Sequence, residues 1–308
     1  MFTHTISHAF YYTFIAISLL VGTFFVYIVV TKSPRFLRSY KNNLLNLTLW
    51  YFGDLVLFLV AEPSVQVLNT QICFNSLSPL LQQSPPLFYS LYGLGVVVTA
   101  NVIFAILFCF VSRYVHLAHP TTLKWFQSFP GTIFYIAAHA FGSLGIAVLF
   151  YLLMTSIDSV YLDDGFSICL NTRSNSAVSA FFCFLLSAMV LIFLFLCLFV
   201  LLSIRALRDS KPVMRTKSYH LQNLLTLNLV VLTVLPTVFY ILPIIASTAA
   251  VYLNLPSLEA FLYFTIHLPF TEIILSWCAT LYFVTPYRKA VVQLLTNMKV
   301  RLRFLLYN

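Results

Sequence analysis

Uninterrupted apolar blocks of about twenty residues alternate with short polar segments along this chain. A helix rising about 1.5 Å per residue needs that many residues to cross roughly 30 Å of hydrocarbon, so each block reads as a spanning helix. Seven blocks fall near residues 9–31, 43–62, 86–112, 131–156, 177–204, 221–246 and 259–284. They predict an all-α membrane protein, a seven-transmembrane helix bundle forming one domain over residues 1–308. The last block stops at Thr285-Pro286-Tyr287-Arg288-Lys289. Pro286 removes a backbone donor and disfavours a helical residue before it. Beyond the stop, Val291, Leu294, Leu295, Met298, Leu302 and Leu305 recur every three or four positions, while Lys289, Gln293, Thr296, Asn297, Arg301 and Arg303 occupy other faces. That pattern predicts a short interfacial eighth helix over 287–305, serving as an anchor, a partner-binding surface or both.

Composition agrees with a bilayer protein: 61% of the residues are apolar, 17% aromatic and only 8% charged, against about 25% charged in a soluble domain. The charge is also placed lopsidedly. Lys32, Arg35, Arg38 and Lys41 follow the first block, and Arg113 and Lys124 follow the third. Arg205, Arg208, Lys211, Arg215 and Lys217 follow the fifth, and Arg288, Lys289, Lys299, Arg301 and Arg303 follow the seventh. One side thus holds every Lys and Arg except Arg173, which predicts an outside N-terminus and a cytoplasmic C-terminus. The net charge of +9 is the sum of these rims, suits an anionic inner leaflet and calls for no nucleic acid. With no Lys or Arg and only about eight residues before the first block, helix 1 rather than a cleaved signal is expected to direct insertion.

Four stretches carry a resemblance: "TKSPRFLRSYKNNLLNLTLWYFGDL" at 31–55, "FVSRYVHL" at 110–117, "MRTKSYHLQNLL" at 214–225 and "VTPYRKAV" at 284–291. Together with seven helices, an outside N-terminus and an interfacial eighth helix, they resemble the nematode serpentine chemoreceptors. These are G-protein-coupled receptors, and the match lies in the group of classes H, I, D and Str, closest to class H. The resemblance implies a chemosensory receptor of the plasma membrane, in sensory neurons and their cilia. It further implies a small-molecule ligand of the odorant or pheromone class and a heterotrimeric G protein as partner. The third helix departs from the rhodopsin-like pattern, because Ser112-Arg113-Tyr114 has no acidic residue before the arginine. By resemblance, Arg113 contacts the G protein or a neighbouring helix when the cytoplasmic mouth opens; an ordinary positive-inside residue is the plainer alternative. Tyr114 and Tyr287 are open to the same two readings, since Tyr favours this depth in any membrane protein. Arg205, Arg208, Lys211, Arg215, Lys217, Arg288 and Lys289 surround that mouth and are the candidate G-protein contacts.

The outer connections, near 63–85 and 157–176, are too short to make a ligand-binding ectodomain, so a small ligand entering the outer half of the bundle is expected. Tyr89, Tyr92, Phe239, Tyr240, Tyr263 and His267 are the candidate lining residues, with packing or lipid contact as the alternative for each. Pro236 and Pro243 interrupt the sixth helix seven residues apart and predict a kink, static or hinged. Cys73 and Cys169 fall in two outer connections, facing an oxidising compartment, and are the candidate disulfide, whereas Cys109, Cys183, Cys197 and Cys278 lie in helices. Asp54 and Glu272 are the carboxylates placed deep within the apolar blocks, and Asn101 sits at comparable depth. Either the three form one polar cluster, sharing a proton or a cation, or each is satisfied in its own surroundings.

Catalytic signatures are missing: there is no Gly-rich phosphate loop, HExxH pair, GxSxG turn or paired CxxC set, so neither an enzyme nor a cofactor is expected. His116 and His119 form an HxxH spacing without acidic or Cys companions, which is a poor metal site. The triplet Asn46-Leu47-Thr48 lies in the inner half of helix 2, out of reach of glycosylation. The competing function is a small-molecule transporter or channel. Against it, the seven blocks show no internal repeat and glycine is scarce, 8 in 308 residues.

Overall fold

In the computed structural model the described residues are 2–307 apart from 35–36, 69–70, 127, 156–158, 163–164, 172–175, 213–214 and 254–257. Some side chains, those of Lys217, Tyr263, Arg301 and Arg303 among them, also lie outside the description. The chain begins with α1 (Phe2–Lys32) and α2 (Arg38–Ala61), followed by β1 (Pro63–Leu68), β2 (Gln71–Ser76) and a one-turn α3 (Pro79–Gln82). Next come α4 (Pro85–Ala118), α5 (Pro120–Phe126), α6 (Phe129–Met154), β3 (Ser159–Leu162), β4 (Gly165–Asn171) and α7 (Ser176–Asp209). The sixth long helix is composite: α8 (Thr216–Pro236), a π-helical turn (Thr237–Ile241) and α9 (Leu242–Leu253). Then come α10 (Leu258–Phe283) and α11 (Thr285–Tyr307).

Over the described residues, six of the long helices are apolar enough to cross a membrane, and α10 with α11, which meet at a 95° bend, complete seven. The bend has the cause read from Pro286: α10 ends at Phe283, and the backbone N–H groups of Tyr287 and Arg288 both turn back to the carbonyl of Val284. Prolines also open helices where their missing N–H is harmless, as at the first or second position of α3, α4 and α6.

Two features differ from the sequence reading. The helices project beyond the apolar blocks, so that α4 continues to Ala118, α7 to Asp209, and α8 begins at Thr216. Charged residues end the hydrocarbon crossing but do not break a helix, and between Arg113 and Ala118 no Gly or Pro stops it. The second difference is a four-stranded antiparallel sheet, in the order β1-β2-β4-β3, built from the two connections expected to be loops. Cys73 on β2 stands directly opposite Cys169 on β4, and the two are joined by a disulfide.

The sheet caps one end of the bundle. Its Phe166 and Ile168 pack with Ala61, Leu81, Phe88 and Leu153 in a small core of their own. The Tyr92 hydroxyl of α4 donates to the backbone oxygen of Asn75 on β2 at 2.7 Å, which ties cap to bundle. The main core lies between α1, α2, α4, α8 and α10. Trp277 is its largest buried side chain, with ring contacts to Phe25, Tyr51 and Phe52 at 5.6–6.1 Å. Gly22 makes room for it, since a Cβ there would stand 2.5 Å from Trp277 Cη2. The opposite end of the bundle carries the basic residues and is called the basic end below.

Candidate ligand cavity and basic-end contacts

A cavity of about 440 Å³ opens below the sheet, within the size range of small-molecule sites. Its walls come from α2, β1, α4, α6, α7 and α9, and nearly all of them are hydrocarbon: Leu57, Phe58, Leu91, Val96, Ile103, Leu149, Phe150, Met189 and Ile192. Besides the hydroxyls of Tyr92 and Thr99, the one charged side chain in the wall among the described residues is that of Asp54. It is 2% exposed; its Oδ1 accepts from the Thr99 hydroxyl at 3.2 Å, and its Oδ2 has no hydrogen-bond partner. Gly95 also faces the cavity, and a Cβ added there meets no atom within 4 Å.

A smaller space of about 70 Å³ continues deeper and shares the wall residues Thr99, Ile103, Met189, Ile192 and Ile244. It is lined by Pro236, Thr237, Tyr240 and Ile241, the π-helical turn and its preceding proline. The turn follows from the two prolines. Pro243 has no N–H to give, and its ring would collide with the carbonyl four residues back in a regular helix. One extra residue in the turn shifts the register, and the N–H of Leu242 bonds to Thr237, five residues back.

Of the expected lining residues, Tyr92 borders the cavity and Tyr240 its deeper part. Tyr89, Phe239 and His267 are not among the lining residues, and the side chain of Tyr263 lies outside the description. Tyr89 sets its ring against Phe166 of the sheet, and His267 packs edge-on to Tyr11, so α1 rather than the cavity faces it.

Of the two readings of Asp54, Asn101 and Glu272, one cluster or separate surroundings, the hydrogen bonds follow the second, each side chain having partners of its own. No described bond joins any two of them. Glu272, fully buried, accepts from Tyr51 at 2.8 Å and Ser276 at 2.6 Å, both on Oε1. Asn101 turns to α6, where it donates to Ser143 at 2.7 Å and accepts from His139 Nδ1. Helix rotation explains the split: Thr99 and Asn101 are two residues apart, about 200° around α4, so only Thr99 faces α2. His139 was not singled out from the sequence. Its ring lies between Trp50 of α2 and Phe108 of α4, stacked on both at 5.6 and 5.5 Å. The available signal was a histidine in an apolar block, which calls for a partner.

At the basic end, Arg113 is 5% exposed and joins α4 to α8. Its guanidinium donates to the Gln222 side-chain oxygen, to the Gln222 carbonyl at 2.6 Å and to the Thr226 hydroxyl at 3.2 Å. Gln222 and Thr226 were also missed, because polar residues one turn apart at a helix start look like ordinary surface. Next to this contact, Asn228 of α8 donates to Tyr40 of α2 at 2.7 Å and to Thr280 of α10 at 3.2 Å. Tyr287 is buried, its hydroxyl 2.7 Å from that of Ser33, which fastens α11 to the end of α1.

The remaining basic-end candidates are spread out. Tyr114 and Arg205 border a cleft of about 730 Å³ between α4 and α7, together with His119 and Asp209. Arg208, Lys211, Arg215 and Lys289 are exposed, and the Lys211 ammonium lies 5.9 Å from the Tyr219 ring centroid. Arg288 is exposed over Tyr282 at 5.8 Å, and the Lys217 side chain lies outside the description. Among the described residues there is no His, Cys, Asp or Glu group able to hold a metal, His116 and His119 included.

Comparison with known families meets this architecture with a match over nearly the whole length. The model of the serpentine-type seven-transmembrane GPCR chemoreceptor Srh covers residues 3–297. The chain belongs to the Srh family. Comparison with curated proteins finds no match. Srh membership agrees with the class H resemblance carried by the motifs around Arg113, Gln222 and Pro286. It makes this a multi-pass membrane protein of a chemoreceptor family rather than of an enzyme class.

Proposed function

We propose that this Srh receptor binds a small molecule in the Asp54 cavity and passes its occupancy along the sixth span to a heterotrimeric G protein at the basic end. One observation carries the reading: the cavity continues to the π-helical turn, and the same composite helix holds Gln222 and Thr226, the partners of Arg113, at its other end. Ligand pressing on the turn changes the bend of the sixth span. The bend moves the start of α8 against α4, where the hydrogen bonds to Arg113 and the Asn228 contacts, with the core packing of Leu225 and Leu229, resist it. Opening that end exposes Arg113 and the surrounding basic groups, which attract and orient an acidic partner surface.

The N-terminus is outside and the basic end cytoplasmic, supported by the placement of every Lys and Arg but Arg173. The plasma membrane, the sensory cilium included, is the expected address. The test is nucleotide exchange on a G protein reconstituted with the full chain, under a ligand screen. Ligand-accelerated exchange supports the reading. A ligand-gated flux that persists without any G protein makes the protein a channel or transporter instead.

A further inference from the structure

The chemistry of the cavity narrows what fits it. Its wall is hydrocarbon but for the Tyr92 and Thr99 hydroxyls and one carboxylate, and that carboxylate is incompletely satisfied: Asp54 is 2% exposed, and Oδ2 has no partner while Oδ1 is held by Thr99. The Tyr92 hydroxyl, like that of Thr99, already gives its proton within the protein, to the backbone oxygen of Asn75. A second carboxylate stands close behind. Tyr51, one turn from Asp54 on α2, donates to Glu272, whose Oε2 is also unpartnered and buried. Each carboxylate lies within electrostatic reach of Tyr240, whose hydroxyl is buried without a partner too. Among the described residues no Lys or Arg lines the cavity or bonds to either carboxylate. Two carboxylates and a phenol in an apolar bundle, with no protein cation beside them, form a locus of negative potential.

We propose that the cavity takes a hydrophobic amine, its ammonium group seated on Asp54 Oδ2 and its hydrocarbon body running toward the sheet. This rests on the cavity being the ligand site. An ammonium supplies both things Asp54 lacks, a donor and a positive charge, and it keeps the carboxylate ionised without a borrowed proton. The Thr99 and Tyr92 hydroxyls have their protons committed to Asp54 and Asn75, so the wall has no free donor for a second polar group, and polyhydroxylated or zwitterionic molecules leave groups unpaired. A carboxylic acid brings a third carboxyl group beside Asp54 and Glu272, with no cation to balance it, and is rejected. On α4 the lining runs from Leu91 to Thr99, the level of Asp54, a rise of about 12 Å for the tail.

The test is saturable binding of tritiated n-octylamine to the full chain in nanodiscs, with empty nanodiscs subtracted, in competition with octanol, 2-octanone and octanoic acid. These probes share one skeleton and differ in the head. The amine is expected to bind at least tenfold tighter than the alcohol and ketone, and the acid not to compete. Asp54→Asn should cost the amine tenfold or more and the alcohol less than threefold, removing the preference. Gly95→Leu, which grows a side chain into open space in the cavity, should remove binding of the amine, the alcohol and the ketone alike. A ketone or acid that binds as well as the amine overturns the proposal, as does amine binding indifferent to Asp54→Asn or to Gly95→Leu. If Asp54→Asn fails to fold, competition among the four probes on the unaltered chain still decides. Because no G protein is present, amine binding that leaves nucleotide exchange unchanged refutes the coupling reading alone, and an absent amine preference refutes the ligand class alone.

Discussion

Replacing Gln222 by leucine tests the contact that holds the sixth span against the third. The side-chain oxygen of Gln222 accepts from Arg113, and two further acceptors, the Gln222 carbonyl and Thr226, remain after the change. A hydrogen bond to a charged group contributes about 1.5–3 kcal/mol. The lost bond weakens the closed arrangement, in which Arg113 is only 5% exposed and its Nε is already unpartnered. The open arrangement, where water replaces the lost acceptor, is little affected. At about 1.4 kcal/mol per factor of ten, the equilibrium moves roughly ten- to a hundredfold toward opening. A receptor about 1% open at rest then becomes some 10–50% open, well within the range of a basal assay. Ligand-free nucleotide exchange by the purified chain with a G protein measures it. Gln222→Glu gives the opposite sign, since an ion pair to Arg113 strengthens closure and lowers basal exchange. Equal basal rates for leucine, glutamate and the native residue, with all three correctly inserted, would refute the role given to this contact.

Further consequences follow from packing and hydrogen bonding. Gly22→Ala drives a Cβ to 2.5 Å from Trp277 and should cost about 1–3 kcal/mol. Gly95→Ala meets no atom within 4 Å and should gain about 0.5–1 kcal/mol from helix propensity; thermal unfolding of the two variants should therefore shift in opposite directions. Cys73→Ser or Cys169→Ser opens a bridge spanning 96 residues and should lower stability by about 2–5 kcal/mol, read as loss of surface expression and of the joined peptide in non-reducing maps. Glu272→Gln keeps an acceptor for Tyr51 and Ser276, whereas Glu272→Leu leaves both hydroxyls buried and unsatisfied, so melting should fall further for leucine by about 1–3 kcal/mol.

The spans were legible because hydrocarbon imposes its thickness on the sequence as a length of apolar residues. The stop at Pro286 was legible for a local reason, the missing donor. The cap was not. Val65 and Val67 alternate with polar neighbours over β1, but six residues make a weak strand signal, and the pairing of β2 with β4 depends on how two distant connections meet above the bundle. Asp54, Asn101 and Glu272 show the other limit. Their depth followed from counting residues, whereas their partners depended on rotation about each helix axis and on which helices are neighbours. Asp54 therefore reached the cavity, Asn101 reached His139 and Glu272 reached Tyr51. The partners of Arg113 were hidden for the same reason: Gln222 and Thr226 acquire meaning only once α8 lies beside α4.

Coupling between two sites is reciprocal, so under the proposed function a G protein at the basic end alters affinity in the cavity by the same factor that cavity occupancy alters G-protein binding. The most direct test of the account is the affinity of a cavity ligand, identified as one whose binding Gly95→Leu abolishes, with and without nucleotide-free G protein. The account predicts tighter binding in the complex, by roughly five- to a hundred-and-fifty-fold, reversed when a non-hydrolysable GTP analogue releases the G protein. Equal affinity in both states, with the complex shown to be formed, would contradict it.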